Sequence, residues 1–337
     1  MKKQIKDTDY LAISARIRAM ENMLLTQPRI EKILEARKEE EITKVLLDCN
    51  YFSGQFNPSE PAEMDAALTP VRGRMFDDML SGAPDKRYVD VFRMKYDYHN
   101  TKALLKGLAL GKDVDHILMD IGRVPLKELR TAITTGETGG LPACLGDAIQ
   151  EAREVLSTTR DPQLSDVVLD QWYYRDMMTT ARETGSAFLE GYIRTRIDGV
   201  NLRTLVRTLR MGKNADFLKG VLVEDGNVDV AALLKVAADR GNGLAELYGF
   251  TDLKEAAAEG AAILKDGGSM TQFEKLCDDG IAGYLAVAQT VPFGEAPLIA
   301  YMAAHETEFI NLRILLMGRI TNLSHDLIRA RLRKMYV

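Results

Sequence analysis

The strongest constraint on this chain is that it writes one segment three times. Residues 92–112 (FRMKYDYHNTKALLKGLALGK), 192–213 (YIRTRIDGVNLRTLVRTLRMGK) and 305–319 (HETEFINLRILLMGR) align on an acidic residue. The aligned positions read Asp97-x-x-Asn100-x-Lys102, Asp198-x-x-Asn201-x-Arg203 and Glu308-x-x-Asn311-x-Arg313. Each runs on into a pair of apolar residues: Leu104-Leu105, Leu205-Val206 and Leu315-Leu316. The acids stand 101 and 110 residues apart (198 − 97 and 308 − 198). A second match lies outside the segment, where Gly122-x-Val124 with Leu129 is repeated 104 residues later as Gly226-x-Val228 with Leu233 (226 − 122). Two registers at domain spacing mean that whole domains were repeated.

The spacing within each copy says what the segment is. At about 100° per residue, Asp97, Asn100, Leu104, Leu108 and Gly111 fall on one stripe of a helix, with Lys102 on the other side. Asp198, Asn201, Leu205, Leu209 and Gly212 draw the same stripe. Acid and amide therefore share the apolar face and are expected to be buried. A buried amide has to find partners, since an unpaired one costs roughly 1–3 kcal/mol. Such a pair either fixes how the helix docks or supplies a catalytic acid. Three dispersed copies suit docking, so Asp97, Asn100, Asp198, Asn201, Glu308 and Asn311 are read as a structural signature.

Composition decides the class around this helix. Among 337 residues, 46% are hydrophobic and 28% charged, which suits a globular chain with a sizeable core. Ten prolines and 7% aromatics, against abundant Ala, Leu, Glu, Lys, Arg and Met, favour helix throughout. No period-2 strand pattern stands out. A net charge of −5 without a dense basic run argues against nucleic acid as a partner. Three cysteines far apart, Cys49, Cys144 and Cys277, fit a reducing compartment and buried small side chains. The opening MKKQIKDTDYLAISARIRAM lacks the apolar core of a signal peptide. Residues 280–304 are apolar, but Pro292, Gly294 and Pro297 cut them into pieces shorter than the ~20 residues a bilayer span needs. Two buried helices around a turn are expected there.

Helices are expected at 10–25, 30–47, 64–80, 87–110, 124–134, 142–156, 165–209, 232–238, 253–264, 273–288 and 325–334, with a loop at 50–61. Chemistry-bearing motifs are absent or broken. Gly107-Leu-Ala-Leu-Gly111-Lys112-Asp113 is one residue short of a phosphate loop and ends in Asp where Ser or Thr is needed, so no nucleotide binding is expected. Asp225-x-Asn227-x-Asp229 begins like a calcium loop but has Val230 at position six and Val236 at position twelve. Asp77-Asp78 and Asp278-Asp279 read as solvated helix faces. His99, His116, His305 and His325 form no HxxxH or HExxH pattern, so no metal site is expected. No catalytic residue and no cofactor is assigned.

An all-helical threefold repeat carrying YDYHNTKALLKG, IDGVNLRTLVR and ETEFINLRILLMGR resembles the C subunit of the V/A-type rotary ATPases, whose counterpart in the eukaryotic V-ATPase is called the d subunit. The likeness runs from Tyr10-Leu11 with Arg16-Ile17-Arg18 to the closing LRKMYV. In one departure, Gly318 follows its signature sooner than Gly111 and Gly212 follow theirs, so the third helix is expected to end differently. The resemblance implies an all-α fold of three similar domains (1–110, 111–212 and 213–337) around a pseudo-threefold axis, forming a funnel. It implies a non-catalytic part of the rotor at the cytoplasmic face of the membrane. Its partners would be the D and F subunits of the central axle and the membrane proteolipid ring. Reading the residues alone leaves two other classes open, a helical-repeat adaptor unrelated to rotary motors and a helical enzyme with a deep acidic pocket.

Overall fold

The computed structural model describes residues 5–49 and 61–337, so all but the last residue of the expected 50–61 loop lies outside the described residues. Every regular element among the described residues is helical. The three signature segments lie on long helices, Arg87–Leu110, Ala187–Arg210 and Glu295–Ile320. The apolar stretch at 280–304 is divided between the helix Met270–Leu285, a short 3-10 helix Ala286–Thr290 and the start of the third signature helix. Among the described residues no helix is long and apolar enough to cross a membrane.

Two expected helices turn out to be pairs. The stretch 165–209 breaks at Gly185, which takes the left-handed φ of 73°, and Ser186 then caps the next helix by accepting from the Leu189 N–H at 3.1 Å. The stretch 30–47 breaks into Gln27–Glu35 and Glu39–Asp48 at Ala36, with no glycine or proline to announce it. Here the cause lies far along the chain. Arg319 donates to the carbonyls of Ile33 and Leu34 at 2.9 Å and of Ala36 at 2.7 Å, satisfying groups that a helix end leaves unpaired.

The chain divides into two compact units, Met1–Lys86 with Gly249–Val337, and Arg87–Tyr248. Arg87–Tyr248 contains the first and second signature helices. The discontinuous unit contains the third, and its core joins Ile30, Ile33, Leu34 and Leu46 to Phe309, Leu312, Leu315, Leu316 and Ile328. At about 1.5–3 kcal/mol per fully buried aliphatic or aromatic side chain, such a core holds two distant stretches of chain together.

The signature helices also end alike, which corrects the expectation drawn from Gly318. Gly318 matches Gly107, each seven residues beyond its asparagine. The left-handed residue eleven beyond it is Gly111 (φ 60°), Gly212 (φ 72°) or Asn322 (φ 53°), asparagine being the side chain that best tolerates this region. In each, the next amide closes the helix: Lys112 to the Gly107 carbonyl, Lys213 to Thr208 and Leu323 to Gly318, at 2.8–3.1 Å. The expected stripe needs one correction. Leu108 is 57% exposed, because the chain folds back after the cap and brings Val114 against Gly107 instead.

Candidate functional site

Acid and amide are buried in all three copies. Asp97, Asn100, Asp198, Asn201, Glu308 and Asn311 are all between 0% and 4% exposed. Each asparagine grips both backbone groups of one residue in the segment that follows its helix. Asn100 donates to the Met119 carbonyl at 2.8 Å and accepts its N–H at 2.9 Å. Asn201 does so to Val223 at 2.7 and 2.8 Å, and Asn311 to Arg333 at 3.1 and 2.8 Å. The side-chain amide thus imitates a strand neighbour, giving a passing segment the two hydrogen bonds it lacks.

The acids do the same with an amide further on. Asp97 Oδ1 accepts the Val124 N–H at 3.2 Å, and Asp198 Oδ1 accepts that of Val228 at 3.0 Å. Glu308 Oε1 accepts the N–H of Leu25, from the other end of the sequence. The second oxygen meets a different partner in each copy. Arg123 Nε reaches Asp97 at 2.7 Å, Asn227 Nδ2 reaches Asp198 at 2.8 Å, and His305 Nδ1 stands 3.1 Å from Glu308. Arg123 continues to Asp176 Oδ2 at 2.7 Å, where the Tyr98 hydroxyl also donates.

The Gly-x-Val match now has a physical cause. A Cβ on Gly122 would lie 2.1 Å from Asp97 Oδ1, and one on Gly226 would lie 2.4 Å from Asp198 Oδ1. The short aspartate draws the passing backbone too close for any side chain. Glutamate is one methylene longer, and Met23 stands at the matching position two residues before Leu25.

Electrostatics follow burial. Desolvation holds Asp97 above the usual carboxylate range, opposed by the Arg123 guanidinium and the Val124 N–H. Desolvation likewise raises Asp198, opposed by Val228 and Asn227. Burial would pull the Arg123 guanidinium down, but the Asp176 and Asp97 carboxylates outweigh it and raise it. Burial pulls His305 down to about 4. The 3.1 Å approach of Nδ1 to Glu308 would suit an ion pair, but it is not aligned as a hydrogen bond and burial favours the neutral ring, whose Nε2 lies 2.8 Å from the Tyr301 hydroxyl.

Sequence reasoning missed the second-oxygen partners, since Arg123, Asn227 and His305 share neither type nor register. It also passed over a legible signal. Arginine stands four residues before both aspartates, and Arg93 and Arg194 donate to the Gly122 and Gly226 carbonyls, respectively. Three of the four paired aspartates are less solvated than expected, since Asp78 pairs with Arg16, Asp278 with Arg333 at 2.6 Å and Asp279 with Lys275 at 2.6 Å, while Asp77 is exposed as expected. Of the cysteines, Cys49 and Cys277 are buried and Cys144 is half-buried, and no disulfide joins them. Residues 107–110 of the near-phosphate loop are helical. Among the described residues no group of three or more His, Cys, Asp or Glu side chains is placed to hold a metal ion.

Two expectations follow from this geometry. Asn201→Ala leaves the Val223 N–H and carbonyl unpaired in a dry site, and should cost roughly 3 kcal/mol in a denaturant melt. An unchanged midpoint would remove Asn201 from the structural frame. His305 sets a pH window. Its folded value of about 4 lies below the unfolded 6.5, so the unfolded chain binds more protons between them and stability falls as pH drops through that window. Wild type should lose roughly 3 kcal/mol more than His305→Gln between pH 6.5 and 4. Parallel pH profiles for the two proteins would contradict a neutral buried ring.

These features define an all-helical repeat protein whose buried polar groups hold backbone in place. The chain belongs to the ATP synthase (C/AC39) subunit family, whose sequence profile matches residues 13–331 and so takes in all three acids and all three amides. It is 26% identical to the C subunit of the V-type sodium ATPase of Enterococcus hirae, over 97% of this chain and 99% of that one. It is 26% identical to the C subunit of the A-type ATP synthase of Methanocaldococcus jannaschii, over 95% and 85% of the two chains. Against the C subunit of the V-type ATP synthase of Thermus thermophilus it is 23% identical, over 91% and 93%.

Proposed function

We propose that this chain is the non-catalytic central-stalk subunit of a V/A-type rotary ATPase or ATP synthase. In this reading it links the D and F subunits of the axle to the membrane proteolipid ring and passes torque between them for proton or sodium transport. It sits peripherally on the cytoplasmic face of the membrane, as three helical domains (1–110, 111–212 and 213–337) around a pseudo-threefold axis that form a funnel. The observation that carries this reading is the family match over residues 13–331, nearly the whole of the chain. The clamps suit the role. Backbone segments pinned at both ends by buried hydrogen bonds resist shear better than apolar packing alone, because a slipped hydrogen bond in a dry site finds no water to replace it.

The test compares membranes with and without the protein. Removing it should leave ATP hydrolysis running while ion pumping stops, and the purified chain alone should hydrolyse no ATP. Full-strength pumping in its absence would favour a helical adaptor instead. Hydrolysis by the purified chain would favour an enzyme.

A further inference from the structure

We infer that the segment from Leu25 to Glu35 completes the third repeat out of sequence order, so that the repeats form a cycle of clamps with one joint that no peptide bond crosses. The argument is one of register. Val124 fills the clamp of Asp97, and the next residue, Pro125, is the N-cap of the helix Leu126–Thr135. Val228 fills the clamp of Asp198, and the next residue, Asp229, is the N-cap of Val230–Ala238. Leu25 fills the clamp of Glu308, and the next residue, Thr26, is the N-cap of Gln27–Glu35. Five residues past each clamped amide stands a core side chain, Leu129, Leu233 or Ile30, none more than 1% exposed. Each repeat therefore lends one amide to the acid of the one before, and the first repeat lends its own to the third.

A second observation comes from the other side of the joint. Val337 lies 29 residues past Glu308, where Asn227 lies past Asp198 (337 − 308 and 227 − 198). In the second clamp the residue after Asn227 is the clamped Val228. In the third, Met335, Tyr336 and Val337 line one small cavity together with Leu24, Leu25, Glu308 and Asn311. Val337 thus stands by the third clamp at the register that Asn227 holds in the second. The joint carries its own fastenings. Arg319 holds the carbonyls at the end of Gln27–Glu35, and Arg329 pairs with Glu31 at 2.7 Å.

The clamp on Leu25 anchors the start of Gln27–Glu35, so loosening it should be felt first in that helix.

The test is hydrogen exchange on the full-length chain. Leu25→Pro removes the clamped N–H, and Glu308→Gln is a milder second variant. Amides of Gln27–Glu35 should exchange at least about tenfold faster, with less than about twofold change in Leu126–Thr135 and Val230–Ala238. The Leu24→Cys/Val337→Cys pair, with the three native cysteines replaced by alanine, should form a disulfide when oxidised in the folded state and slow exchange in Gln27–Glu35 about tenfold. If both clamp variants unfold throughout, the cysteine pair decides alone. Failure of the disulfide to form, or exchange that changes equally in all three helices, would overturn the inference.

Discussion

Arg123→Met should lower the stability of the Arg87–Tyr248 unit by about 3–5 kcal/mol, the cost of leaving a buried charge without its partner. Arg123 is 10% exposed at its side chain and lies between two carboxylates that are 0% and 5% exposed. Methionine fills similar space, so lost packing is a minor part. The loss should depend on pH. Asp97 is already held above the usual carboxylate range by burial, and without the guanidinium it rises further. A folded value above the unfolded one means that the native state holds the proton longer, so stability falls as pH rises through the window above the unfolded ~3.9. Melts at pH 5 should show a smaller penalty than melts at pH 7. Adding Asp97→Asn should recover part of it at pH 7, since the amide needs no counter-charge. A penalty equal at both pH values would point to packing and sink the electrostatic account.

Gly122→Ala should cost about 2–4 kcal/mol, and Gly226→Ala somewhat less. The added Cβ would meet a carboxylate oxygen that cannot retreat, because Asp97 is held by Val124 at 3.2 Å and Arg123 at 2.7 Å. Either the clamp lets go or the backbone moves away from the helix. Gly226 has slightly more room, 2.4 Å against 2.1 Å, and its acid is held by a neutral Asn227 instead of a guanidinium. The control is Gly139→Ala, where a Cβ meets nothing within 4 Å and the change should stay within about 0.5 kcal/mol. Equal midpoints for Gly122→Ala and Gly139→Ala would show that the close approach is not what the glycine serves.

The two glycines also show how far this sequence can be read. Their repetition was visible as Gly-x-Val, but its cause was not. Nothing local says that residue 122 passes beside residue 97. The break at Ala36 is similar, since a run without glycine or proline reads as one helix until Arg319 caps it from 283 residues away.

What the sequence alone determined is the class and the repeated helix. Helical propensity accumulates over long windows, and the 3.6-residue period put Asp97, Asn100, Asp198, Asn201, Glu308 and Asn311 on an apolar face, where burial follows from geometry. That much is local physics. Tertiary structure alone decided what those buried groups hold, because a hydrogen-bond partner 19 to 283 residues away leaves no periodic trace. It decided that Arg123 and Asn227 serve one position, since a carboxylate oxygen accepts a hydrogen from any donor that reaches it, and that His305 stands beside the third acid. It also decided that the amide held by Glu308 comes from Leu25. A clamp recognises a backbone N–H in the right place, and a backbone N–H carries no mark of where in the chain it was written.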